Sequence, residues 1–200
     1  MKFDIILAGV GGQGVLSLSA IIAWSAMREG LHVKQSEVHG MAQRGGAVLA
    51  NLRLSDREVM SDLIPVGGAS LVLSMEPLES LRYLKYLSPD GTIVTSTNPM
   101  VNIPDYPDLE ALLGRIRALK RAMLLDSEQL AKRAGTARAS NMVIAGAAAG
   151  FLPLKVETME HFIQTQFARK GEKVVLQNLA AFRAGQEAAA EWRRQPSLVS

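Results

Sequence analysis

The chain has 200 residues, 48% of them hydrophobic and 20% charged, which suits one globular domain with a substantial core rather than a disordered segment. Its net charge is +3, and it contains no cysteine. That excludes disulfides, a thiol nucleophile, cysteine-ligated zinc and a cysteine-ligated iron–sulfur cluster within this chain. Three scattered histidines, His32, His39 and His161, also argue against a self-contained transition-metal centre.

Phe3 to Ala8 is a short apolar run ending at glycine, the pattern of a buried strand. From Val15, the residues Leu18, Ile22 and Ala26 recur at helical spacing, and Gly30 follows as a helix stop. The uncharged stretch from Ile5 to Met27 is long enough to cross a bilayer, but Gly9, Gly11, Gly12 and Gly14 interrupt it. A strand turning tightly into a helix explains those glycines better. No basic segment precedes the apolar run, so no signal peptide is expected and the chain is read as cytoplasmic, without a membrane partner. His32 to Ser36 reads as a second strand, completing a βαβ start with parallel strands.

Ala47 to Leu54 alternates in part like a strand, and Ser55 to Glu58 resembles a turn, which together predict an antiparallel excursion at or near a sheet edge. Ala69 to Ser74 is a further buried strand, followed by a helix from Pro77 to about Leu87. Ser88-Pro89-Asp90-Gly91 predicts a turn before a strand at Thr92–Thr95. Residues 98–109, with Pro99, Pro104 and Pro107, read as a loop, and a short helix follows at Leu109–Leu119. Ala122–Leu125 reads as a strand, with Asp126 or Ser127 capping the next helix. Helices at Asn141–Gly150, Glu157–Ala168 and Glu172–Arg193 finish the chain. The expected architecture is a three-layer, Rossmann-like α/β domain over 1–190, with a mostly parallel sheet, an antiparallel edge excursion, a helical C-terminal segment and a flexible tail at 191–200.

Two loops carry candidate chemistry. Gly9-Val10-Gly11-Gly12-Gln13-Gly14 satisfies G-x-G-x-x-G between a strand and a helix, where glycines let backbone approach a phosphate at a helix N-terminus. Glu37, 23 residues beyond Gly14, has the spacing of the acid in a dinucleotide site. The alternative is that these glycines only permit tight packing and a subunit contact. The second loop, Ser36-Glu37-Val38-His39-Gly40-Met41-Ala42-Gln43-Arg44-Gly45-Gly46, follows the second strand and falls on the same sheet edge. Its polar groups and glycines suit binding better than core, and Arg44 before two glycines places a cation beside accessible amides. Glu37 and His39 share a face of an extended segment, but no proton-transfer role is assigned to either. Elsewhere, basic residues gather in 115–138. They are read either as a solvated helical surface or as a site for an acidic partner or phosphate-bearing ligand. No nucleic-acid motif accompanies them.

FDIILAGVGGQGVLSLSAIIA followed by SEVHGMAQRGGAV resembles the gamma-type domain of 2-oxoacid:ferredoxin oxidoreductases. The His-Gly-Met-x-Gln-Arg-Gly-Gly version is more similar to the small (beta) subunit of the indolepyruvate branch than to the pyruvate or 2-oxoglutarate branches. Asn141-Met142-Val143 and LQNLAAFRAG at 176–185 extend the resemblance over about residues 1–186. It implies a subunit that binds no cofactor alone and works with a large catalytic (alpha) subunit. That partner would carry thiamine diphosphate and iron–sulfur clusters, and the complex would use coenzyme A and pass electrons to ferredoxin. In that setting Gly9, Gly11, Gly12, Gln13, Gly14 and Arg44 are candidates for coenzyme A or interface contacts. Ser36, Glu37, His39, Gln43, Gly45 and Gly46 become interface or active-site-adjacent residues, and no catalytic residue is expected. Two other classes remain open at this point: a free-standing NAD- or FAD-dependent oxidoreductase, and a non-catalytic protein-binding module.

Overall fold

A computed structural model describes residues 1–39 and 45–194 of the chain. Six strands form one sheet in the order β2-β3-β1-β4-β5-β6. These are β1 (Lys2–Val10), β2 (His32–His39), β3 (Ala47–Ser55), β4 (Ala69–Ser74), β5 (Leu87–Ser96) and β6 (Ala122–Leu125). Strands β1, β4, β5 and β6 are parallel, whereas β3 is antiparallel to both of its neighbours.

The inserted β3 revises the expected βαβ start. β1 and β2 do point the same way across helix α1 (Val15–Arg28), but they do not pair. β3 lies between them, with Leu7 and Glu37 both opposite Ala50. The antiparallel excursion is therefore one strand in from the edge, and β2 is the edge strand. Residue patterns dictate the two faces of β3 but not its neighbours, because pairing partners are chosen by tertiary packing.

Two apolar layers flank the sheet. On one face Ile5, Leu7, Ala50, Leu52, Leu71 and Leu73 meet α1, α5 (Ser140–Ala149), α6 (Val156–Phe167) and α7 (Glu172–Arg193). On the other, Ile6, Val72 and Ile93 meet Leu113 and Ile116 of α3 (Leu109–Arg117). Helix α5 is buried along nearly its whole length, as its sequence SNMVIAGAAA suits, and it packs directly on α7. A Cβ on Gly146 would lie 1.8 Å from the Phe182 carbonyl oxygen, and one on Gly185 would lie 1.9 Å from that of Val143. The two glycines thus allow backbone-to-backbone contact that no larger residue permits.

The second face is also tied by charge. Asp4 and Arg53 are register partners on β1 and β3, and both are buried. Arg53 donates to the two Asp4 carboxylate oxygens at 3.0 and 3.2 Å, and to the carbonyls of Ser61 and Leu63 at 3.0 Å each. This buried fork fastens the irregular segment 56–68 across β3.

Two local expectations change. Helix α2 spans only Pro77–Arg82, and a 3-10 turn at Leu84–Tyr86 takes up the rest of the expected helix. The Ser88–Gly91 turn is built into β5 as a bulge, since Ala69 pairs with Leu87 while Leu71 pairs with Thr92. A side chain on Gly91 would strike the Ala69 carbonyl at 2.8 Å. The strand at 122–125 and the cap Asp126, which accepts from the Gln129 amide at 2.9 Å in α4 (Ser127–Arg133), match the sequence reading. No described helix is long and apolar enough to cross a membrane, so the uncharged run 5–27 is divided between β1 and α1. Gln195–Ser200 of the expected tail lie outside the described residues.

Candidate functional site

The carboxyl ends of the parallel strands bring four segments to one edge: the glycine loop after β1, Met75–Glu76 after β4, residues 97–108 after β5 and Asp126 after β6. The β2–β3 hairpin opens onto the same edge, as the sequence order implied. This is where open α/β sheets place their ligands.

The glycine loop is closed against the hairpin. The Gly11 amide donates to the Gly46 carbonyl at 2.8 Å, and the Gly45 amide donates to the Gly11 carbonyl at 3.4 Å. Gln13 turns back into its own loop: its Oε1 accepts from the Val10 amide at 2.8 Å, and its Nε2 donates to the Met75 carbonyl at 3.4 Å. Its side chain therefore holds the turn and links β1 to β4. Gly14 takes a left-handed conformation, φ 80°, and its carbonyl accepts from Asn141 Nδ2 at 3.4 Å. A Cβ on Gly14 would lie 2.4 Å from that Nδ2, so the residue is confined to glycine both by its backbone and by α5. Among the described residues, the amides of Gly12 and Gly14 make no hydrogen bond, and a Cβ on Gly12 would meet open space.

The dinucleotide geometry does not assemble. In that arrangement the acid ends the strand adjacent to β1. Here Glu37 sits on β2, separated from β1 by the whole of β3, a displacement of roughly 10 Å across two strand spacings. Glu37 is instead bonded by its neighbour Gln35. Ser36 Oγ is buried and has no hydrogen-bond partner among the described residues. Gly45 and Gly46 are brought directly onto the glycine loop. Gln43 and Arg44, like the side chain of His39, lie outside the described residues.

A further residue, not singled out in the sequence, organises this edge. Glu76, only 1% exposed, caps α2 by accepting from the Glu79 amide at 2.8 Å. Its other oxygen accepts from the Met100 amide at 3.4 Å and from the Tyr106 hydroxyl. The long segment after β5 is thereby strapped down, and Asn102 at its middle donates to the Gly45 carbonyl at 2.7 Å. Burial, with Glu76 beside it, pushes the Tyr106 phenol well above its ordinary value. Desolvation raises the neighbouring Glu79 carboxyl, although Arg82 pairs with it at 3.1 Å. The available signal was a polar residue immediately before Pro77, an N-cap pattern. Nearby, Asn98 Oδ1 accepts from the hydroxyls of Ser96 and Ser127 at 2.8 and 3.2 Å and from the Glu128 amide at 3.0 Å, anchoring α4.

Around these polar ties stand exposed apolar side chains: Leu16 at the start of α1, Val38 at the end of β2, and Met100, Val101 and Ile103 on the strap. Among the described residues, no group of three or more His, Cys, Asp or Glu side chains is placed to hold a metal ion. The edge presents backbone amides and apolar contacts, and among the described residues no nucleophile–base pair is seen there.

The fold belongs to a class of mixed-sheet α/β domains known from solved oxidoreductases. A keto/oxoacid ferredoxin oxidoreductase gamma subunit from Geobacter sulfurreducens PCA aligns with a TM-score of 0.68 and 22% identity over 94% of this chain and 99% of that one. A 2-oxoglutarate:ferredoxin oxidoreductase from Magnetococcus marinus aligns with a TM-score of 0.75 and 22% identity, over 95% of this chain and 31% of that longer one. Residues 4–188 match the family model for pyruvate ferredoxin/flavodoxin oxidoreductase, and the chain belongs to that family. Its relatives include the indolepyruvate oxidoreductase subunit IorB of Archaeoglobus fulgidus, 36% identical over the full length of both chains. The IorB subunit of Methanothermobacter thermautotrophicus is also 36% identical, over 96% of this chain and all of its own.

Proposed function

We propose that the chain is the small subunit of a 2-oxoacid:ferredoxin oxidoreductase acting on indolepyruvate or a related arylpyruvate, and that it contributes a docking edge rather than a catalytic centre. The coarse reading, an oxidoreductase subunit, follows from family membership and from full-length similarity to indolepyruvate oxidoreductase subunits. The finer reading rests most on one observation: the glycine loop is bonded to Gly45 and Gly46, with the dinucleotide acid one strand too far away. That geometry favours the accessory-subunit reading over a free-standing NAD- or FAD-dependent enzyme.

On this reading a large cytoplasmic partner carries thiamine diphosphate and iron–sulfur clusters, which decarboxylate the oxoacid and pass two electrons to ferredoxin, with the acyl group leaving on coenzyme A. This chain holds the rim. The open Gly12 and Gly14 amides at the start of α1, with Arg44 beside Gly45, offer hydrogen-bond donors and positive charge to a phosphate or to the facing subunit. Gly9 and Gln13 shape that loop. Ser36, Glu37, Gly45 and Gly46, with His39 and Gln43 of the same loop in the sequence, are the proposed interface residues, and the exposed apolar residues Leu16, Val38, Met100, Val101 and Ile103 supply area for that interface.

Co-expression with a cysteine-rich large subunit tests the proposal. A stable complex that reduces a viologen dye with indolepyruvate and coenzyme A is expected, with weaker activity on pyruvate or 2-oxoglutarate. A chain that binds NAD(H) or FAD alone and never forms a complex would replace it with the free-standing reading.

A further inference from the structure

The basic stretch 115–138 is not one surface in the fold. Arg117 pairs with Glu110 at 3.5 Å and Lys132 with Glu128 at 3.6 Å, while Arg115 lines a groove between α2 and α3. Lys120 and Arg121 turn elsewhere, into a pocket of about 610 Å³. They immediately precede β6, so this pocket lies at the amino end of the parallel strands, opposite the glycine loop.

Its far wall comes from the ends of α5 and α7. Arg193 lies with its Cζ 4.6 Å from the Phe151 ring centroid, and Trp192 meets the same ring edge-on at 5.8 Å. Gly150 leaves the notch in which that guanidinium rests, since a Cβ there would fall 2.3 Å from Arg193 Nη2. Arg121 donates to the Asp90 backbone carbonyl at 2.9 Å, which fixes its direction. Among the described residues, Lys120, Arg121 and Arg193 form no ion pair. Among the described residues, Asp90 is the single acidic residue of the lining. A cation in the last turn of a helix commonly answers the helix dipole, which accounts for Arg193 alone. It leaves unexplained why two further cations from a different element converge on an aromatic wall.

We propose that this pocket is a nucleotide site, with a planar base against Trp192 and Arg193 and the phosphates between Lys120, Arg121 and Arg193. Among the described residues, three cations against one acid match a polyphosphate, whereas a simple aryl carboxylate would leave two of them unanswered. The volume falls in the range of small-ligand pockets and admits a mononucleotide. The site is independent of the docking edge, so it stands or falls apart from the proposed function.

The test uses the full chain with W24F, which makes Trp192 the sole tryptophan of the two present. ADP should change Trp192 fluorescence saturably, with a Kd between about 10 μM and 1 mM. Pyrophosphate should compete more weakly, and adenosine and indole-3-acetate should not compete. R193A, and separately K120A/R121A at two exposed positions, should each weaken ADP at least about tenfold, while K132A, whose lysine pairs with Glu128 outside the pocket, leaves it unchanged. The double variant carries the test if R193A fails to fold. No saturable response to ADP, equal affinity in wild type and K120A/R121A, or loss of binding in K132A instead would each overturn the proposal.

Discussion

Replacing Glu76 with alanine should release the strap over the carboxyl edge of the sheet while the sheet stays folded. The substitution removes the N-cap of α2, worth about 1 kcal/mol, and leaves the Met100 amide and Tyr106 hydroxyl without their acceptor. Stranding a buried donor costs about 1–3 kcal/mol, and both donors are only part-buried, so water offsets some of that loss. The sum is a destabilisation of about 2–4 kcal/mol. Y106F removes one hydrogen bond and should cost only about 1 kcal/mol. Urea unfolding followed by circular dichroism gives the global figures. Hydrogen exchange gives the local ones, with residues 98–106 losing protection in E76A before the β1–β4 core does. In the double variant the two costs should fail to add, because both report the same bond. An E76A cost below about 0.5 kcal/mol with unchanged exchange at 98–106 would refute the strap. So would a Y106F cost equal to that of E76A.

Other consequences follow from the same structure. G185A forces a Cβ to within 1.9 Å of the Val143 carbonyl and should cost about 3 kcal/mol or more by prising α7 from α5. G114A in α3 meets nothing within 4 Å and should be neutral or stabilising by up to about 1 kcal/mol, so thermal melts of the pair should move in opposite senses or by very different amounts. Because burial raises the Glu79 carboxyl, the folded chain keeps that proton to a higher pH than the unfolded chain. Stability therefore falls as pH rises through the window above its ordinary value of 4.5 and recovers on acidification. The stability of wild type relative to E79Q should accordingly increase from about pH 7 to about pH 5, and a flat difference would contradict the burial argument. R44A should weaken subunit assembly or the apparent affinity for coenzyme A about tenfold with an unchanged melting curve, and unchanged values of both would remove Arg44 from the edge.

Much of the fold was legible because buried strands and amphipathic helices leave periodic marks. β1, α1, β4, β6 and the three C-terminal helices follow directly from runs such as FDIILA and ASLVLS, and from caps such as Asp126. The position of β3 was not legible, since alternation in AVLANLRL states which residues face inward but not which strands lie beside it. That one placement decides the fate of Glu37: its spacing from Gly14 suits a dinucleotide acid, but the intervening strand moves it away. Gln13 looked like a ligand-facing polar residue and is occupied by its own turn. Glu76 was missed because its partners Met100 and Tyr106 lie 24 and 30 positions away. The meeting of the two loops on one edge was foreseen, because the direction of β2 alone fixes it.

The central claim is that this edge docks a larger subunit on which the chemistry takes place. Co-expressed with a candidate cysteine-rich large subunit, the chain should co-purify and support indolepyruvate-dependent viologen reduction, while either subunit alone gives none. A large subunit fully active without this chain, or a complex that forms yet ignores indolepyruvate and every other 2-oxoacid, would contradict the account.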